Sequence, residues 1–194
     1  MSVRNTIVKY KFAVAMLPLI FATAVAHAED SELVFAPILK QGYAFEPTVS
    51  ILLGGEGENL SDITDGFVWG VEGAFNCPLL KTPGNNIRQR VSLTSYDEKG
   101  LELISFELNP HYMIPVGEGF KVGFGPGVGF VSAELGGDDD SVFTFQVGAS
   151  ATYEINQFSA GIELRHQFTQ DAEFNNIEND LDNTRFLVKL GYSF

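Results

Sequence analysis

The chain has 194 residues, with 12 Lys and Arg against 25 Asp and Glu, a formal net charge of −13, and one cysteine. So acidic a balance argues against nucleic acid and anionic-lipid surfaces as partners. Cys77 stands alone, so no intrachain disulfide can form.

The first thirty residues, MSVRNTIVKYKFAVAMLPLIFATAVAHAED, place Arg4, Lys9 and Lys11 ahead of an apolar run from Phe12 to Ala26, followed by Ala26-His27-Ala28. A basic start, a short apolar core and an A-x-A site are the pattern of a secretory signal peptide, with cleavage expected after Ala28. The apolar run contains Pro18 and falls short of the ~20 residues that a spanning helix needs. Removing residues 1–28 leaves 166 residues, one domain by size. It also removes three cations, leaving nine against 25 acids, a net charge of −16. Residues 29–42 are expected to form an N-terminal arm. The stretch SELVFAPILK, 31–40, either extends the first strand or lies apart, and Pro37 argues against an uninterrupted ladder.

From 43 onward the chain alternates with a period of two. In 43–53, Tyr43, Phe45, Pro47, Val49, Ile51 and Leu53 share a face. In 67–77, Phe67, Trp69, Val71 and Phe75 do so. In 87–96 it is Ile87, Val91 and Leu93, with Gln89 and Ser95 weakening the stripe. In 103–114 it is Ile104, Phe106, Leu108, Tyr112 and Ile114. The run 120–130 alternates Phe120, Val122, Phe124, Pro126, Val128 and Phe130 with Lys121 and Gly123, Gly125, Gly127 and Gly129. The runs 143–155 and 158–169 continue the pattern. The last run closes the chain on Phe186, Val188, Leu190, Tyr192 and Phe194. Gly54-Gly55, Pro83-Gly84-Asn85-Asn86, Gly117-Glu118-Gly119, Gly136-Gly137 and Asn156-Gln157 read as the turns between runs.

The polar faces carry Glu72, Arg88, Arg90, Glu107, His111, Lys121, Glu154, Glu163, Arg165 and Lys189, four acids and five bases besides the histidine. With these strand faces near neutrality, the excess negative charge must lie in the connections. It is read there as Glu56, Glu58, Asp62 and Asp65, then Asp97 and Glu98, then Asp138 to Asp140, and finally Asp171, Glu173, Glu178, Asp180 and Asp182. A balanced charged set suits mutual pairing inside a closed lumen, where an isolated ion would cost several kcal/mol. The apolar faces carry Tyr43, Trp69, Tyr112, Tyr153, Tyr192 and Phe194 towards strand ends, as interfacial aromatic girdles require.

Each run is about as long as a tilted strand crossing a bilayer, and hydrocarbon offers no partner for free backbone groups. The expected fold is therefore all-β: a closed eight-stranded antiparallel transmembrane barrel, an up-and-down meander over 43–194 with a polar, side-chain-filled interior. The glycine line of 123–129 is expected to make room for long inward side chains such as Arg90 or Tyr96. No P-loop, dinucleotide-binding or zinc-ligand spacing occurs, and the acidic runs do not match a calcium loop, so no cofactor or metal is expected.

With these residues in place, the chain resembles the small eight-stranded outer-membrane β-barrel proteins of the OmpA, OmpX and opacity type. The sharpest part is the terminal FLVKLGYSF, similar to the signal such proteins present to the barrel assembly machinery, here Phe186, Val188, Leu190, Tyr192 and Phe194. The resemblance implies a monomer in the outer membrane of a Gram-negative bacterium, in contact with membrane lipid and lipopolysaccharide. It implies both termini in the periplasm, loops 54–65, 97–100, 136–141 and 170–183 outside, and turns 78–86, 115–119 and 156–157 inside. The nine-residue turn 78–86 is longer than the family leads one to expect.

Two histidines invite chemistry. His111 shares a face with Glu107, two positions away, and is read as part of the lumen network. His166 lies near where lipid A acyl-chain hydrolases of this membrane carry a His-x-Ser pair, but the residue two positions on is Phe168. The expectation is a structural or surface-interaction protein acting through acidic outer loops, not an enzyme. The alternatives are a narrow passive channel for small solutes and, less favoured, a lipid A-modifying enzyme.

Overall fold

The protein is described from a computed structural model covering residues 33–57, 66–98, 100–135, 138–169, 172–174, 177–179 and 182–194. The signal segment 1–28, with its cleavage position, and the acids Glu58, Asp62, Asp65, Asp171 and Asp180 lie outside the described residues.

Eight antiparallel strands close on themselves: β1 (Thr48–Gly57), β2 (Gly66–Asn76), β3 (Ile87–Glu98), β4 (Leu101–Pro115), β5 (Phe120–Leu135), β6 (Asp138–Ile155), β7 (Phe158–Thr169) and β8 (Asn183–Ser193). Each strand pairs with its neighbours in sequence, and β8 closes the barrel on β1. The expected meander is what folds. Its register fixes its shape. From Gly55 the register leads through Phe186, Leu164, Ala149, Phe124, Tyr112 and Ile87, and extended past Asn76 of β2 it returns to the chain just before β1 at 45, a stagger of ten residues, 55 to 45. With ordinary strand spacings, eight strands and that stagger set a tilt of about 40°.

The strand faces are inverted relative to a soluble barrel. Phe124 is 50% exposed and Leu190 60%, whereas Glu163 and Arg165 are each 1% exposed inside. Val49, Ile51, Trp69, Val71, Phe106, Phe130, Ile162 and Val188 also stand outward and exposed. A belt of this kind exceeds the few hundred Å² of apolar patch that soluble monomers leave in water. At the end where β1 begins and β8 ends, the terminal end, aromatic rings pair around the wall: Phe45 with Phe75, Tyr112 with Phe124, Phe120 with Tyr153, and Phe158 with Tyr192, which also meets Phe194. Tyr43 departs from the girdle expected of it. Its hydroxyl donates to the Asn76 carbonyl, so it ties the approach of the chain to β2.

Several strands run further than alternation suggested. β5 and β6 extend to Leu135 and start again at Asp138, so Asp139 and Asp140 lie in a strand, and Asp97 and Glu98 end β3. Here the pattern inverts: Val131, Ala133 and Val142 are buried inside while Ser132 and Glu134 face out, so the outward apolar stripe that marks a strand stops while the ladder continues. Gly54 and Gly55 are likewise strand and not turn. A Cβ at Gly54 would sit 1.9 Å from the Phe186 carbonyl oxygen, so glycine permits the close approach of β1 and β8. Conversely, the first strand begins only at Thr48.

The arm, left open by the sequence, is a separate element. Val34–Phe35 pairs with Leu80–Lys81, and a short 3₁₀ turn, Pro37–Leu39, follows. The long turn 78–86 thus supplies the arm's partner strand, which accounts for its nine residues. At the other end, Ala172–Phe174 pairs with Ile177–Asn179 within the β7–β8 connection.

Candidate functional site

The lumen is where the sequence concentrates its chemistry. Inward positions alternate with outward ones on every strand, so ionisable residues from β1, β2, β3, β4, β7 and β8 converge on the axis. At the centre, Lys189 donates to both carboxylate oxygens of Glu72 at 2.8 Å and reaches Glu163 at 2.5 Å. Arg90 donates to Glu163 at 2.8 Å, and its Nε lies 4.0 Å from Glu72. Arg165 forks between Glu163, at 2.9 Å from Nε and 2.5 Å from Nη2, and Glu107, to which Nη1 donates. Glu107 also accepts from Arg185 at 2.7 Å and from Ser92 at 3.0 Å. Arg185 completes the chain with Glu56 at 2.5 Å, Ser105 at 3.0 Å and Gln167 at 2.9 Å.

Glu56, Glu72, Glu107 and Glu163 thus face Arg90, Arg165, Arg185 and Lys189, four against four. All eight are buried. Neutrality is what makes the arrangement tolerable. A buried ion costs several kcal/mol to dehydrate, and only partners on all sides offset that cost. Glu107 and Glu163 each bridge two or more cations, so the set behaves as one network rather than as four pairs.

Ten residues are expected in this network, and the structure sorts them into three groups. Glu72, Arg90, Glu107, Glu163, Arg165 and Lys189 join it. His111 is buried beside it with Nδ1 3.4 Å from Ser150 Oγ, a contact to β6 rather than to Glu107. Arg88, Lys121 and Glu154 stand at the terminal mouth. Lys121 pairs with Glu154 at 2.6 Å with side chains 40% and 43% exposed. Arg88 donates to Asn76 at 2.8 Å and to the Glu46 carbonyl at 2.9 Å. Two members were missed. Glu56 was read as a loop acid because Gly54-Gly55 resembled a turn; strand parity would have placed it inward. Arg185 shares the inward face of the last run with Lys189, four positions away, so the same parity would have found it.

Glycines on β5 shape this interior, though not for Arg90 or Tyr96 as expected. A Cβ at Gly127 would overlap Asn109 Oδ1 at 1.7 Å, one at Gly123 would overlap the Met113 sulfur at 2.4 Å, and one at Gly125 would meet the Pro110 carbonyl oxygen at 1.9 Å. The residues accommodated come from the adjacent strand β4. Tyr96 instead fills the space beside Gly66, where its ring would lie 2.1 Å from an added Cβ. Among the buried polar atoms, Asn109 Nδ2 and both amide atoms of Gln146 have no hydrogen-bond partner.

Above the charges, towards the loops, the lumen turns apolar. Leu103, Val131, Ala133 and Val142 form a buried cluster there, while Leu52, Val68 and Leu187 form a second one between the Lys189 and Arg185 levels of the network, with Tyr96 packed against both. Below, a polar cavity of about 600 Å³ opens at the terminal end, lined by Glu72, Asn76, Arg88, Arg90, Lys121 and Lys189 among others. The lumen is therefore a blind vestibule under a filled core.

The remaining candidates sit elsewhere. His166 faces outward, and Nδ1 lies 2.9 Å from Thr184 Oγ1 on β8, with its ring edge-on to Phe168. That hydroxyl partner comes from the neighbouring strand, which spacing along one strand could not reveal. No cluster of three His, Cys, Asp or Glu able to hold a metal occurs among the described residues. Cys77 is buried at the end of β2. Of the terminal signal, Phe186, Val188 and Leu190 lie exposed on the outer wall, and Tyr192 and Phe194 join the aromatic girdle.

Solved structures share this architecture. Neisserial surface protein A, NspA, superposes with a TM-score of 0.59 at 14% identity, covering 80% of this chain and 100% of that one. The N-terminal β-barrel domain of Pseudomonas aeruginosa OprF gives 0.52 at 13% identity, covering 78% and 100%. At such identities the likeness is one of fold. No curated protein matches the sequence. The model of the outer membrane protein beta-barrel domain matches residues 12–194, nearly the whole chain. With that match, the exposed apolar belt and the neutral ion-paired lumen, the chain belongs to the outer membrane protein beta-barrel domain family.

Proposed function

We propose that this protein is a non-enzymatic barrel, resident in the outer membrane, that holds acidic loops at the cell surface for structural or interaction roles. The observation that carries the reading is the lumen: eight buried charges in mutual compensation, capped by apolar side chains, leave the barrel a scaffold rather than a conduit. The same reading exports the chain by a signal peptide cleaved after Ala28 and has the last strand read by the assembly machinery. It makes the barrel a monomer embedded in lipid and lipopolysaccharide, with the termini facing the periplasm. The surface designation of NspA is in keeping with it.

A passive channel would need a continuous wet path, and the buried Glu107–Arg165–Arg185 layer stands in it. An acyl hydrolase would need an oriented nucleophile and base. His166 meets the Thr184 hydroxyl and, edge-on, the Phe168 ring, and neither contact supplies an acid that would orient it as a base.

The test is conductance in planar bilayers, using protein whose folding is verified by its altered gel mobility when unboiled. The expected outcome is a folded barrel without unitary currents. Sustained, reproducible unitary steps would replace this reading with the narrow-channel one.

A further inference from the structure

The terminal end carries a feature that the lumen does not explain. Backbone bonds hold the N-terminal arm firmly: Val34–Phe35 pairs with Leu80–Lys81, Ala36 N–H donates to the Leu79 carbonyl at 2.8 Å, and Lys40 N–H donates to that of Pro37 at 2.9 Å. Yet of the arm's apolar side chains only Pro37 is buried. Leu39 is 85% exposed, Phe35 72%, Leu79 on the partnering turn 71%, and Ile38 53%. A segment tied down by its backbone while its large side chains face outward is built to meet something apolar.

Charge adds a second indication. Residues 33–44 and 77–86 contain Lys40 and Lys81 and not one acid, in a chain with 25 acids. Both lysines are exposed. These described residues thus carry only positive formal charge, although Glu29, Asp30 and Glu32 directly precede them in sequence. Location adds a third. Phe45, which follows the arm, stacks on Phe75 of β2 at 4.7 Å, and Phe75 belongs to the outward girdle. The patch is therefore continuous with the wall that faces acyl chains.

We propose that the arm and the 77–86 turn form a foot that docks on the phospholipid leaflet at the terminal end. Phe35, Ile38, Leu39 and Leu79 enter the interface while Lys40 and Lys81 meet headgroup phosphates. The chemistry is that of interfacial elements generally: apolar side chains dip below the headgroups, and lysine stems extend their ammonium groups to the phosphate plane. A peptide or cell-wall polymer would also accept apolar and cationic contacts, but neither accounts for the continuity with the lipid-facing wall. The inference rests on the membrane-embedded reading above, and its test keeps the two apart.

Trp69 is the only tryptophan and stands on the outward face of β2, so it reports insertion of the barrel itself. A Trp69→Phe, Leu39→Trp variant moves the reporter to the foot. Both proteins are refolded into phosphatidylcholine vesicles, with or without phosphatidylglycerol, doped with lipids brominated at a shallow or a deep acyl position. In the variant the expected result is blue-shifted emission quenched best by the shallow bromines. Adding Lys40→Glu and Lys81→Glu should weaken docking on anionic vesicles roughly thirtyfold and leave the quenching of Trp69 in the parent barrel unchanged. Emission at a water-like wavelength, unquenched at either depth while wild-type Trp69 is quenched, would overturn the foot and leave the barrel reading intact. Loss of Trp69 quenching in folded protein would overturn both.

Discussion

The two halves of the lumen solve the same problem by opposite means. In the half nearer the loops, Glu56, Glu107, Glu163, Arg165 and Arg185 are almost wholly buried, and every charge is answered by another. In the half nearer the termini, Lys121 and Glu154 pair at a comparable distance but stay open to the vestibule. Contact distances alone would rank these pairs alike. Burial separates them, because water screens the mouth and is absent from the core. What the difference teaches is that balance matters only where hydration is lost.

The largest effect is therefore expected at Glu107, which serves both Arg165 and Arg185. Glu107→Gln keeps the shape and removes the charge, leaving an uncompensated buried cation, at a cost of about 3–5 kcal/mol. Urea titration of the barrel in lipid vesicles, read by gel mobility without boiling, checks this. Replacing Glu107, Arg165 and Arg185 together by apolar residues of similar volume should recover much of the loss. A loss no greater than that of a mouth variant would erase the distinction between the halves.

A steric effect comes next. Gly125→Ala places a methyl group 1.9 Å from the Pro110 carbonyl oxygen, on the stretch where Pro110 and Pro126 interrupt the β4–β5 ladder. Forcing those strands apart is expected to cost about 1–3 kcal/mol, measured by the same titration. Gly73→Ala, where an added Cβ meets nothing within 4 Å, is the control and should change little. Equal losses at the two sites would mean that close strand approach is not what the β5 glycine provides.

The smallest effect is expected at the mouth. Lys121→Ala breaks the pair with Glu154, and for half-exposed partners such a loss is about 1 kcal/mol or less. The difference should also fade as salt is raised. A salt-insensitive loss as large as that of Glu107→Gln would place Lys121 in the buried network.

Much of this was legible in the sequence because a bilayer imposes a simple code. A strand with lipid on one side and a filled lumen on the other must alternate, so eight runs and the inward position of Glu163, Arg165 and Lys189 followed from parity. The code fails where its cause stops. In the extension of β5 and β6 the apolar residues Val131, Ala133 and Val142 turn inward and the outer face becomes polar, so no outward apolar stripe marks the strand that holds Asp139 and Asp140. Glu56 was lost for a related reason. Gly54 announces close contact with β8, which only the folded barrel reveals, and in sequence it resembles a turn. Contacts across the barrel were beyond reach altogether: Arg185 meets Glu56 over 129 residues, and His166 meets the Thr184 hydroxyl across a strand pair.

Site-directed spin labels placed singly from Phe186 to Gly191 on β8 examine the inverted faces most directly. Collision with dissolved oxygen, which concentrates in acyl chains, should peak at 186, 188 and 190 and fall at 187, 189 and 191. A water-soluble nickel complex should reach none of the first three. The opposite phase, with 187 and 189 open to the nickel complex and 186, 188 and 190 shielded from both reagents, would mean that the apolar side chains form an ordinary core.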